Sequence, residues 1–145
     1  MTRFIRQLVI CALLAAFSGA SLHAQTLSLH DSTVVRFATA EESRLRLGSR
    51  DAFVAAMGPY DRSARTGRAG AVSESEYLAF AAAQALDWSA ADLEKFKALV
   101  ERVAQRLKPL NLPLPKEVWL VKTTGREEAE TAYTRGNAII MPRWY

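Results

Sequence analysis

The sequence predicts an α+β fold, with a helical first half packed on a small β-sheet from the second half. Three observations carry that expectation. Apolar residues at helical spacing, each run opened by a capping residue, fill much of positions 39–107. A proline-rich stretch at 109–115 (PLNLPLP) then closes the helical part, and short β-branched runs follow it. Composition agrees, since 145 residues that are half hydrophobic and 23% charged describe one ordinary globular domain.

Residues 1–24 read as a secretory signal peptide. Arg3 and Arg6 form its positive start, an apolar stretch runs from Leu8 to Phe17, and small residues lead to a cut expected after Ala24. The apolar stretch is shorter than the ~20 residues that span a bilayer. A secreted or periplasmic location follows. Removing the segment leaves 121 residues, 25–145, lowers the net charge from +4 to +2, and leaves no cysteine for a disulfide. A charge that small predicts no nucleic-acid partner and no membrane contact after cleavage, because both usually need a clustered basic face.

The elements of 25–145 follow in order. Residues 33–38 (TVVRFA) are β-branched enough for a first strand. Thr39 and Glu42 form a capping box that opens a short helix to Leu47, and Gly48 is placed to end it in the left-handed region. Ser49 caps a second short helix over 50–57, stopped at Gly58-Pro59. Residues 59–71 (PYDRSARTGRAGA), with two glycines and four charges, predict a mobile surface loop.

Ser73 and Glu76 form a second box, opening a helix to Leu86 with Tyr77, Phe80, Ala81 and Leu86 inward. Ser89, with Asp92 three residues on, opens the longest helix. Its apolar stripe is Leu93, Phe96, Leu99, Val100, Val103 and Leu107, and Pro109 ends it. With almost no loop between them, these two helices are expected to form an angled corner or a tight antiparallel pair. Residues 118–122 (VWLVK) make a strand, and Thr124-Gly125 turns the chain. Residues 131–134 and 138–141 then form either a hairpin around Gly136-Asn137 or one bulged strand.

The residue inventory excludes most site chemistry. The only thiol and imidazoles are Cys11, His23 and His30, and the leader holds the first two. One histidine cannot build a zinc site of the usual kind, and no cofactor is expected. His30 beside Asp31 has no G-x-S-x-G elbow to act on. Glu127, Glu128 and Glu130 are the densest acids, but they read as a solvated turn next to Arg126 rather than as carboxylates facing across a cleft. Arg62, Arg65 and Arg68 lack interleaved aromatics, and Gly67 and Gly70 match no phosphate-cradling pattern. Tyr77, Phe80, Trp88 and Phe96 recur at core positions of helices. Trp144 and Tyr145 bury little unless something receives them.

The helical pair, then Val118-Trp119-Leu120-Val121-Lys122, then residues 132–142 (AYTRGNAIIMP), resemble the region ahead of the active-site helix in secreted bacterial zincin-like metallopeptidases. The resemblance covers about residues 39–142. It implies a small twisted sheet whose edge strand lines a substrate cleft, here Ala132, Tyr133, Thr134, Ala138, Ile139 and Ile140, binding a peptide through its backbone. The family's H-E-x-x-H occurs nowhere in the chain, so no catalytic or metal residue carries over. The expectation is a protein catalytically incompetent as it stands, equivalent to the N-terminal portion of such an enzyme and cut short after Tyr145. The alternative is a complete small periplasmic binding or inhibitor-like domain that presents its last strand to a peptide or protein.

Overall fold

The computed structural model describes residues 24–29, 32–112, 114–125 and 131–143. In chain order the elements are β1 (Gln25–Ser28), β2 (Val34–Phe37), α1 (Ala40–Leu47), α2 (Ala52–Ala56), α3 (Pro59–Thr66) and α4 (Glu74–Ala83). Then come β3 (Ala85–Leu86), α5 (Ala90–Leu107), a 3-10 turn (Lys108–Leu110), β4 (Glu117–Thr123), β5 (Tyr133–Arg135) and β6 (Ala138–Pro142). The fold is α+β, with the helices ahead of the C-terminal strands. The sheet also takes in β1, β2 and β3 from the helical part, in the order β1-β2-β4-β6-β5 with β3 on β4.

Strands β2, β4 and β6 run parallel at the centre, and β1 and β5 are antiparallel at the two edges. Alternation along the strands sends side chains to two cores. Val121, Ala138 and Ile140 face the layer of α1, α2 and α4, packing with Leu47, Val54, Tyr77 and Ala81. Val35, Phe37 and Leu120 face α5, packing with Leu93 and Phe96. The sheet is covered on both faces, which parallel strands require.

Several caps form as the spacing predicts. Thr39 Oγ1 accepts from Glu42 N at 3.2 Å while Glu42 Oε2 accepts from Thr39 N at 2.8 Å. Ser73 and Glu76 repeat this exchange at 3.3 and 2.8 Å, and Ser89 Oγ accepts from Asp92 N at 3.1 Å. Asp51, not Ser49, caps α2, accepting from Val54 N at 3.0 Å.

Three expectations are corrected. Residues 59–66 of the expected loop are the helix α3. Pro59 starts it, Asp61 Oδ2 accepts from Gly58 N at 2.9 Å, and Gly67 ends it at φ 64°. Its anchor is Arg62, 9% exposed, whose guanidinium donates to Val72 O at 2.8 Å and to Met57 O. Gly48 is right-handed, at φ −79°. A Cβ there would lie 3.0 Å from Arg44 O in the preceding turn of α1, with Ala82 Cβ of α4 at an ordinary 3.4 Å, so crowding against its own helix end, not a left-handed turn, favours glycine. Finally, α4 and α5 are not a packed pair. Ala85 and Leu86 pair with Thr123 and Lys122, and the chain crosses there from one face of the sheet to the other.

Candidate functional site

Residues 133–142 form the expected hairpin. Gly136 has φ 59° and Asn137 is not left-handed, the pattern of a two-residue turn with glycine first. In such a hairpin the pair flanking the turn, Arg135 and Ala138, is hydrogen-bonded, and Thr134–Ile139 is the non-bonded pair. Thr134 is exposed and directs its N–H and C=O away from β6, toward an edge that no described strand pairs with. The hairpin divides the expected strand residues. Tyr133 and Thr134 lie on the edge strand, with Ala132 just before it. Ala138, Ile139 and Ile140 lie on β6, between β4 and β5, where strand pairing already occupies the backbone. Among the described residues the outer strand of this hairpin is therefore β5, and β6 is an interior strand. Pro142 ends β6 beyond the last residue paired with β5, where a missing N–H costs no ladder bond.

Two hollows flank this hairpin. On the α1 side a hollow of about 510 Å³ is lined by Glu42, Arg46, Asp51, Trp119, Arg135 and Asn137, among others. Its floor is held by Arg135, 5% exposed, which donates Nε to Asp51 Oδ2 at 2.6 Å, Nη1 to Leu47 O at 2.9 Å and Nη2 to Ser49 O. With these acceptors engaged, Arg135 fastens β5 to the junction of α1 and α2. At the rim, the Arg46 guanidinium lies 3.9 Å from the Trp119 ring centre and Arg36 lies 5.5 Å from it. Glu117 accepts from Arg36 Nε and, at 2.8 Å, from Trp119 Nε1. Those two bonds, Arg36 first, hold the Glu117 carboxyl below its ordinary range. Partial burial pulls the Arg46 guanidinium down, with Glu117 and Glu42 opposing that shift.

On the α5 side a groove of about 440 Å³ runs between the second half of α5 and the sheet, reaching Thr134 at the edge. Its wall is aliphatic, including Val100, Val103, Val118, Ile139 and Met141. At the far end of β4, Lys122 donates to Asp92 at the start of α5. Tyr133 is itself fixed from the other face, where its ring stacks on Phe53 at 5.3 Å and Arg65 lies 5.0 Å from it.

The acids Glu127, Glu128 and Glu130, the pair His30–Asp31, Cys11, His23, Trp144 and Tyr145 lie outside the described residues, as does all of the expected signal peptide except Ala24. Among the described residues no three His, Cys, Asp or Glu side chains gather as metal ligands, and no helix is long and apolar enough to cross a membrane. The Arg46–Trp119–Arg36 stack and the Arg135 clamp have only a faint sequence signal. Strand alternation places Tyr133 and Arg135 on the same face, but nothing local names their partners. No protein-family model matches the chain, and neither does any curated protein or solved structure.

Proposed function

We propose that this protein is an exported peptide-binding domain without catalytic machinery of its own, resembling the N-terminal portion of a zincin-like metallopeptidase. The observation that supports this reading is the position of β5, an antiparallel edge strand beside the parallel set β2-β4-β6, with the Thr134 amide aimed outward. An extended peptide gains main-chain hydrogen bonds at such an edge, and its alternate side chains reach the hollows on either face. The missing H-E-x-x-H agrees with a role in holding peptides rather than cutting them.

Fluorescence anisotropy with a panel of labelled extended peptides tests the reading. Thr134→Pro removes the outward donor without breaking a ladder bond, because the N–H of this residue makes no bond to β6, and unchanged circular dichroism checks that the fixed φ leaves the hairpin intact. Loss of that hydrogen bond is expected to weaken binding by about five- to tenfold, while Thr134→Val leaves it unchanged. No binding by the parent protein, equal binding by the proline variant, or peptide cleavage on adding zinc each contradicts the proposal.

A further inference from the structure

Leu45 and Tyr60 are exposed singly on α1 and α3, but the other large exposed apolar side chains among the described residues fall together. Leu99, Val103, Leu110 and Leu112 are 40%, 46%, 60% and 55% exposed, and all four lie on the second half of α5 and the turn that follows it. Residues 99, 102, 103, 106, 107 and 110 are linked by steps of three and four, so they occupy one surface of a continuous helical run. Lys108 keeps that run helical at φ −51°, ψ −47° and leads into the 3-10 turn. Asn111, left-handed at φ 49°, then turns the chain so that Leu110 and Leu112 both stand out from the body. Pro109 stiffens the turn, so the two leucines are held outward with little backbone freedom left to lose.

Charge falls in the same place. Arg102 and Arg106 are exposed on this surface, Lys108 and Lys116 are exposed further along the same stretch of chain, and Glu101 is the single acid between positions 99 and 116. Among the described residues none of these four cations enters an ion pair. Arg102 and Arg106 flank Leu99 and Val103 on the helix, whereas Lys108, two turns after Glu101, lies with that acid on the other side. The net charge of +2 for residues 25–145 hides this cluster, because acids elsewhere offset it. Whole-chain charge predicts no membrane partner for want of a basic face, and the sum does not register a local pair such as Arg102 and Arg106.

We propose that the end of α5 and its following turn form a peripheral docking surface for an anionic lipid bilayer, with Leu110 and Leu112 entering the headgroup boundary and Arg102 and Arg106 meeting lipid phosphates. Leucines beside two unpaired arginines suit that occupant, since apolar insertion and attraction to anionic lipid add together. Leu99 and Val103 also line the groove that reaches the β5 edge, whereas Arg102, Arg106, Leu110 and Leu112 lie outside it.

Vesicle co-flotation of the full protein tests this directly, using phosphatidylcholine vesicles with and without phosphatidylglycerol. The protein is expected to float with the anionic vesicles only, and to release as salt is raised. Replacing Arg102 and Arg106 by glutamine is expected to lower partitioning on the order of 20-fold. Replacing Leu110 and Leu112 by serine is expected to lower it by at least about tenfold. Both pairs are exposed, and unchanged circular dichroism checks that folding is retained. No binding to anionic vesicles, or equal binding to neutral ones, overturns the proposal. Binding that ignores the leucine change reduces the contact to surface adsorption and overturns insertion. If size-exclusion shows self-association that the leucine change abolishes, with no vesicle binding, the surface belongs to a second copy of the chain.

Discussion

Arg135 shows what one residue does in this fold. Its guanidinium meets a carboxylate and two carbonyls from the α1–α2 junction at once, and its side chain is only 3% exposed. Lysine carries the same charge but offers a point donor where a planar fork is required. Arg135→Lys is therefore expected to destabilise the protein by about 2–3 kcal/mol in urea unfolding, with buried acceptors left unpaired. A change below about 0.5 kcal/mol, the range of ordinary surface substitutions, contradicts that role. The capping boxes at Thr39 and Ser73 were legible in the sequence because every partner lies within three residues. Arg135 was not, because its partners lie more than eighty residues away. Gly48 was legible as a helix end but not in its conformation, since its right-handed φ and the tight approach to Arg44 O are set by how the last turn of α1 closes.

At the level of elements, the start of α5 is pinned to the sheet by one ion pair. Asp92 sits in the first turn, where the helix dipole already favours an anion. The Lys122 ammonium, and after it the Ser89 hydroxyl, hold its carboxyl down to about 2 from an ordinary 3.8. The folded pKa is depressed, so the contribution of this group to stability is fully present above 3.8 and is lost as pH falls toward 2. Asp92→Asn should remove that part of the acid sensitivity. The melting-temperature gap between parent and variant should be largest near neutral pH and narrow through this window. A gap that is constant from neutral pH to pH 2 contradicts the assignment. Glu76 and Glu117 shift in the same direction, so the difference between the two proteins, not the parent curve alone, isolates Asp92. The element misread from sequence was α3. Its proline start and Asp61 cap were local signals, but arginines and glycines outweighed them, and the buried bonds of Arg62 are a tertiary effect.

Across the whole molecule, one sheet serves two cores. Leu47 and Phe96 lie on opposite faces, packed against adjacent residues of β4, Val121 and Leu120. Leu47→Ala and Phe96→Ala are each expected to cost about 2–5 kcal/mol. Because the strands are shared, both should lower a single cooperative transition. Separate unfolding steps for the two faces, seen by circular dichroism and tryptophan fluorescence, contradict this. The α+β class was legible in the sequence because periods of 3.6 and 2 alternate in blocks along it. Strand order was not legible, since short apolar runs do not reveal which neighbour they choose. The parallel pairing of β2 with β4 carries a consequence for how the chain is made. Val34 waits for Glu117, about eighty residues later, and the centre of the sheet cannot assemble until Thr123 has left the ribosome. At ordinary elongation speeds that interval is on the order of 4 to 17 s. Throughout it the nascent chain can form its capped helices but not its sheet, and it stays open to any factor that handles unfolded protein.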